Sequence, residues 1–169
     1  MWNDTDSPLA YLITFRTYGS WLHGDKRGSV NRYRNTFGTT YLPEEKAWLR
    51  INEIKLKSEP VILDSKQRTI VEASIRETCE FRCWQLLAIN VRTNHVHTVA
   101  AIGGKTPGTA LNAFKANATR KMREDGCWTL GHSPWSERGS ERYLWNEGSV
   151  ERAIEYVIDG QGGELPKGF

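Results

Sequence analysis

Only three residues, Arg92-Thr93-Asn94, separate two strand-like segments, Trp84 to Val91 and His95 to Ile102. A connection that short cannot cross over a sheet, so the two segments have to lie side by side and antiparallel. Upstream of this hairpin, Ala10-Tyr11-Leu12-Ile13-Thr14-Phe15-Arg16-Thr17 is rich in aromatic and β-branched residues and runs into Gly19-Ser20, the pattern of a first strand ending in a turn. Asp64 or Ser65 can cap a helix reaching about Arg82, with Ile70, Val71, Ile75 and Cys79 at core-facing intervals. Past the hairpin, Pro107 sits where helices begin, and Leu111, Phe114, Ala118 and Met122 mark the buried stripe of a helix reaching Arg123. Tyr143-Leu144-Trp145 predicts a short fourth strand, and Asn146 to Ser149 a turn. Ser149 reads as the cap of a last helix whose Val150, Ala153, Ile154, Val157 and Ile158 follow the i, i+3, i+4, i+7, i+8 template. Gly160 to Pro166 reads as a helix stop and a loose tail.

The order β-α-β-β-α-β predicts an α+β, ferredoxin-like antiparallel sheet, with an additional C-terminal helix. Two helices would cover one face of the sheet and leave the other free. At 169 residues the chain is expected to be one domain, 1–169, with a polar excursion at about 23–60. Trp48, Ile51 and Ile54 predict one short helix within that excursion.

The three cysteines, Cys79, Cys83 and Cys127, are an odd number, and no basic-then-apolar leader precedes them; a reducing, cytoplasmic setting is expected. Cys79 and Cys83, four apart on a helix, read as small buried hydrophobes. No apolar run approaches the roughly 18 residues of a membrane span, so no membrane partner is expected. A net charge of +3 and a pI near 8.8 permit a nucleic-acid partner without requiring one.

His95 and His97 lie two apart on one strand, so they share a face with Cα atoms roughly 6.6 Å apart, close enough to hold one metal ion together. Two imidazoles hydrogen-bonded at a sheet surface are the bland alternative, whereas a histidine-triad hydrolase would need a third histidine where Val99 stands. On the last helix Tyr156 points roughly 130° away from the centre of the apolar stripe and flanks the packed face. Its helical neighbours are Arg152 and Asp159, a polar setting. A phenol is a poor nucleophile at neutral pH unless a cation lowers the cost of its ionisation, and a divalent metal between the histidines and a phosphodiester would do that.

Thr93-Asn94-His95-Val96-His97 resembles the H-U-H element (U a bulky apolar residue) of single-tyrosine transposases acting on single-stranded DNA, a group that includes the REP-associated tyrosine transposases. Leu12 to Arg16, Phe114-Lys115 and Tyr143-Leu144-Trp145 are similar too, in the same order, over most of the chain. The resemblance implies Tyr156 as nucleophile, His95 and His97 as metal ligands, Mg2+ or Mn2+ as the ion, and cleavage through a 5′-phosphotyrosine that leaves a free 3′-hydroxyl. It also implies a single-stranded or hairpin DNA partner, nucleoid association in a bacterium, and either a homodimer that exchanges tyrosine helices or a monomer. The family commonly carries Gln or Asn four residues after the tyrosine as third ligand, but Gly160 stands there. Gln161, an amide like the family's ligand, and Asp159, a carboxylate suited to a hard cation, are the substitutes.

For DNA, the candidate cations are Arg16 on the first strand and Lys115, Arg120, Lys121 and Arg123 on the helix after the hairpin, with Arg32 and Arg34 flanking Tyr33 in the excursion. Each taken singly also fits a solvated surface. Trp21, Trp128 and Trp135 fall in turn-like regions where a ring could stack on a base, while Trp48 and Trp84 look like core. Two other readings stand beside the transposase. One is a catalytically silent nucleic-acid-binding domain on the same fold, and the other is a zinc-stabilised interaction module using Cys127 and His132.

Overall fold

The computed structural model describes residues 7–20 and 58–162, in which β1 (Ala10–Thr17), α1 (Ser65–Phe81), β2 (Gln85–Val91), β3 (His95–Ala101), α2 (Pro107–Glu124), β4 (Trp135–Leu144) and α3 (Glu147–Asp159) follow one another. The strands form one antiparallel sheet in the order β2-β3-β1-β4, and the architecture is the α+β, ferredoxin-like one expected. The short helix and the cations and tryptophans of 21–57, and the tail after 162, lie outside the described residues.

Alternation along β1 divides the molecule into two packed layers. Tyr11, Ile13 and Phe15 join Val71 and Ile75 of α1 and Leu111, Phe114 and Met122 of α2 in the main core. Ala10 and Leu12 face the other way and pack with Ala88, Val99 and Leu144 against Ala153 and Val157 of α3. The second face is therefore not free: α3 lies across it and touches all four strands, β2 and β3 most. Ile158, expected in the buried stripe of α3, is 56% exposed, because only the stripe through Ala153 and Val157 reaches the sheet.

Helix starts follow local chemistry. Asp64 caps α1 in a reciprocal capping box with Gln67, and Thr106 caps α2 ahead of Pro107. The cap of α3 is Asn146, whose side chain accepts from the Ser149 amide, three residues earlier than the expected Ser149 cap. The fourth strand is ten residues long rather than three. Its middle is polar because β4 is an edge strand, and Trp135 at its start is buried edge-to-face on Phe15, with ring centroids 4.9 Å apart. Trp135 and Trp128 are therefore core rather than stacking surfaces for bases, as is Trp84.

Residues 18–19 and 60–61 lie side by side. Gly19 takes φ +77 against Pro60, where a Cβ would come within 2.9 Å of the Pro60 Cα, and the Val61 amide bonds the Tyr18 carbonyl at 2.8 Å. Cys79 is buried, but Cys83 is exposed and holds φ +56 just past α1, so it is not the buried hydrophobe expected. The chain needs that left-handed residue there so that the Trp84 amide can reach back to the Cys79 carbonyl at 2.8 Å. A side chain in this region costs free energy that glycine avoids. Cys83→Gly is expected to stabilise the protein by about 1 kcal/mol, or about 2–4 °C in Tm, measured by thermal unfolding against wild type.

Candidate metal and tyrosine site

Register, rather than sequence proximity, builds the site. His97 pairs with Thr14 of β1 and Asn90 of β2, and His95 pairs with Arg16. Directly paired residues of antiparallel strands project on the same face, so these side chains stand on the face that α3 crosses. Asn90 fixes the helix there by donating from Nδ2 to the Val157 carbonyl at 2.9 Å.

The two imidazoles lie 4.7 Å apart between ring centroids. On their outer sides, Thr14 Oγ1 is 2.6 Å from His97 Nδ1, and Asn94 Oδ1 is 2.7 Å from His95 Nδ1. On the inner side, Gln161 Oε1 lies 3.2 Å from His95 Nε2. Gln161 reaches the pair because α3 stops at Gly160, and its Nε2 donates back to the Tyr156 carbonyl at 3.1 Å. The Tyr156 ring stands edge-on to His97, with centroids 5.4 Å apart, in the same chain. It is 47% exposed, off the packed stripe of α3. Asp159 is exposed and lines an open groove on the outer side of α3 with Arg152, Glu155, Tyr156 and Gly160. Of the two substitutes for the third ligand, it is Gln161 that meets the imidazoles.

The donor set fits a divalent cation on one feature in particular. Because Gln161 Nε2 is committed to a carbonyl, its Oε1 faces His95, whose other ring nitrogen also faces an oxygen, that of Asn94. A neutral imidazole has a single N–H and cannot donate to both. If Nδ1 donates to Asn94, a lone pair on Nε2 meets a lone pair on Oε1, and a cation between them satisfies both. Their 3.2 Å separation is close to the edge of a metal octahedron, about 3 Å for metal–ligand distances of about 2.1 Å. Outer hydrogen bonds of this kind orient metal-ligating imidazoles.

Burial holds the His97 pKa down to about 3, and repulsion from His95 adds to this against the opposing pull of the Gln161 amide oxygen as an acceptor, so the ring is neutral and fit to ligate at neutral pH. The consequence for stability has a definite sign. His97 has a lower pKa folded than unfolded, so its contribution is complete above about pH 6.5 and is lost as pH falls towards 3. In EDTA, Tm is expected to fall through this window, and His97→Asn should flatten the slope; an unchanged slope would reject the assignment.

The basic residues divide between two places. Arg16 is on the His95 face by register. Lys115, Arg120 and Arg123 line a groove of α2 with Asn112, Thr119 and Ser133. Lys115 is not a solvated cation, as its Nζ donates to the Ser136 and Arg138 carbonyls at 2.8 and 3.2 Å, tying α2 to the edge strand. Arg120 pairs with Glu124 within α2, and Lys121 with Glu77 of α1. Around Cys127 and His132 no zinc site forms: among the described residues no three His, Cys, Asp or Glu side chains gather, and His132 Nδ1 meets the Ser133 carbonyl at 2.8 Å. The site residues that sequence reasoning missed are Thr14, Asn94 and Gly160. Asn94 is adjacent to His95, but only strand register brings Thr14 to His97.

No family model matches this sequence, and no curated protein sequence is similar to it. Among solved structures, the chain is similar to a REP-associated tyrosine transposase bound to a REP hairpin, with TM-score 0.50 and 12% identity, covering 93% of this chain and 67% of that one. It is also similar to a crystal structure named as a candidate transposase from Deinococcus radiodurans R1, with TM-score 0.48 and 15% identity, covering 96% and 97% of the two chains. At such identities the first likeness shows a shared fold and no more. No helix among the described residues is long and apolar enough to cross a membrane.

Proposed function

We propose that this chain is a metal-dependent transposase of the single-tyrosine H-U-H family that cuts and rejoins single-stranded DNA. One observation carries the reading: within a single chain, two imidazoles, an amide oxygen and a half-exposed phenol converge on one end of the sheet. Shared fold with a tyrosine transposase supports it. In this reading a single chain supplies both the phenol and the imidazoles.

In this reading His95, His97 and Gln161 would hold Mg2+ or Mn2+, which would supply polarisation of the phosphoryl oxygen and lower the cost of ionising the phenol. Tyr156 Oη attacks phosphorus; the O–P bond to tyrosine forms, the P–O3′ bond breaks, the phenolic proton leaves to solvent and the departing 3′ oxygen takes one up. The phosphotyrosine conserves the diester energy, so a later 3′-hydroxyl can reverse the step and join strands without ATP. Thr14 and Asn94 keep the imidazole rings turned inward. Arg16, beside His95 in register, would contact the strand being cut. On the helix side, the ion pairs of Arg120 and Lys121 among the described residues are surface pairs, which are worth little and would give way to phosphates. Lys115 supports this side by fixing the edge strand. The partner is then single-stranded DNA or a hairpin.

The test is a set of labelled hairpin and linear oligonucleotides incubated with Mn2+ or with EDTA. A covalent adduct that forms only with metal supports the proposal. Salt-sensitive binding with no adduct, unchanged by EDTA and by His97→Ala, would replace it with the catalytically silent DNA-binding domain.

A further inference from the structure

Gly160 follows the last turn of α3 at φ −83, ψ 2, a conformation open to any residue, so its glycine is not required by the backbone. What requires it is space. A Cβ built there would lie 2.6 Å from the Tyr156 carbonyl oxygen and 3.1 Å from Cδ2 of the Tyr156 ring. The same carbonyl oxygen accepts from the Gly160 amide at 3.0 Å and from Gln161 Nε2 at 3.1 Å. The missing side chain thus leaves room for two things at once: the phenol ring folded over the helix end, and the Gln161 amide turned back beneath it towards His95.

We propose that Gly160 is a positioning residue that sets Gln161 against the imidazole pair by leaving the Tyr156 carbonyl open to its amide. The inference deepens the metal-site reading above and rests on it for its consequence, though not for its geometry. A side chain at 160 pushes against a backbone oxygen, which cannot rotate away as the tip of a side chain can. The carbonyl tilts or the chain after it swings out, and in either case the bond from Gln161 Nε2 is lost. With that anchor gone, Oε1 no longer faces His95 Nε2. Backbone dihedrals alone would permit alanine here, so any effect of Gly160→Ala arises from the contact with the Tyr156 carbonyl.

Three variants separate these roles: Gly160→Ala, Gln161→Ala and the double variant, with Asp159→Ala as control. The first readout is the imidazole nitrogen NMR signals of His95 and His97 in metal-free protein. Gly160→Ala should move the His95 Nε2 signal in the same direction as Gln161→Ala, with Tm within a few degrees of wild type. The second is Mn2+ affinity by titration. Each single variant should weaken it by about tenfold or more, and the double variant by no more than Gln161→Ala alone, because the glycine acts through the glutamine. Asp159→Ala should leave both readouts as in wild type. Wild-type imidazole signals in Gly160→Ala, or losses that multiply in the double variant, would overturn the proposal. Should wild type bind no Mn2+, the metal-site reading falls, and the metal-free signals alone decide the role of Gly160.

Discussion

Tyr156→Phe is expected to abolish the covalent protein–DNA adduct and to lower strand cleavage by roughly 10,000-fold or more, the scale of losing a covalent nucleophile. The fold should not notice. The ring keeps its edge contact with His97, the residue is 47% exposed, and the Val157 side chain next to it, not the phenol, supplies the buried contact of α3. Surface changes of this kind stay within about 0.5 kcal/mol, so Tm should remain within about 2 °C. The informative comparison is adduct yield on a denaturing gel beside a thermal melt of the same sample. An adduct that persists in the variant would assign the nucleophile elsewhere; lost adduct together with a collapsed Tm would mean that the ring is structural.

The largest stability effect is expected from Phe15→Ala. Phe15 is fully buried in the main core and meets Trp135 edge-to-face, and its neighbours along β1, Thr14 and Arg16, are the partners in register of His97 and His95. Removing a buried aromatic ring costs about 3–5 kcal/mol, a large part of the 5–15 kcal/mol that holds a typical domain together. Denaturant unfolding should show the midpoint falling with the slope unchanged. Because Thr14 Oγ1 orients His97 Nδ1 at 2.6 Å, slackening the register of β1 against β3 should also weaken Mn2+ binding in the fraction that remains folded. A loss below 1 kcal/mol would contradict the packing described around this ring.

These two expectations draw on different levels of information. The helices were legible because helix formation is written in local spacing: Val71, Ile75 and Cys79 on α1, and Leu111, Phe114, Ala118 and Met122 on α2, are buried as their periodicity predicts. Edge strand β4 was only partly legible. Its Ser136 to Arg142 stretch lacks apolar alternation, because an edge strand in this sheet buries little on either side and draws its stability from backbone pairing with β1. The same cause hid Trp135, which reads as a loop residue until its strand is recognised. Lys115 looked like a solvated cation on the basic side of α2. Its commitment to two β4 carbonyls depends on a strand that the pattern did not reveal.

At the site, the period of two along a strand was enough to put His95 and His97 on one face, and helical periodicity was enough to set Tyr156 apart from the packed stripe. Both are consequences of backbone geometry within one element, and a sequence carries that geometry in full. The choice between Asp159 and Gln161 was open because it turns on where α3 ends and which way the next residue folds, and contacts with another strand decide that. Likewise, nothing in the order of residues brings Thr14 to His97 across 83 positions, or lays α3 over β2 and β3 so that phenol and imidazole stand 5.4 Å apart. Those distances arise from sheet register and from burying Leu12, Val99, Ala153 and Val157 together. Burial of this kind is a property of the whole packed chain and of no single segment.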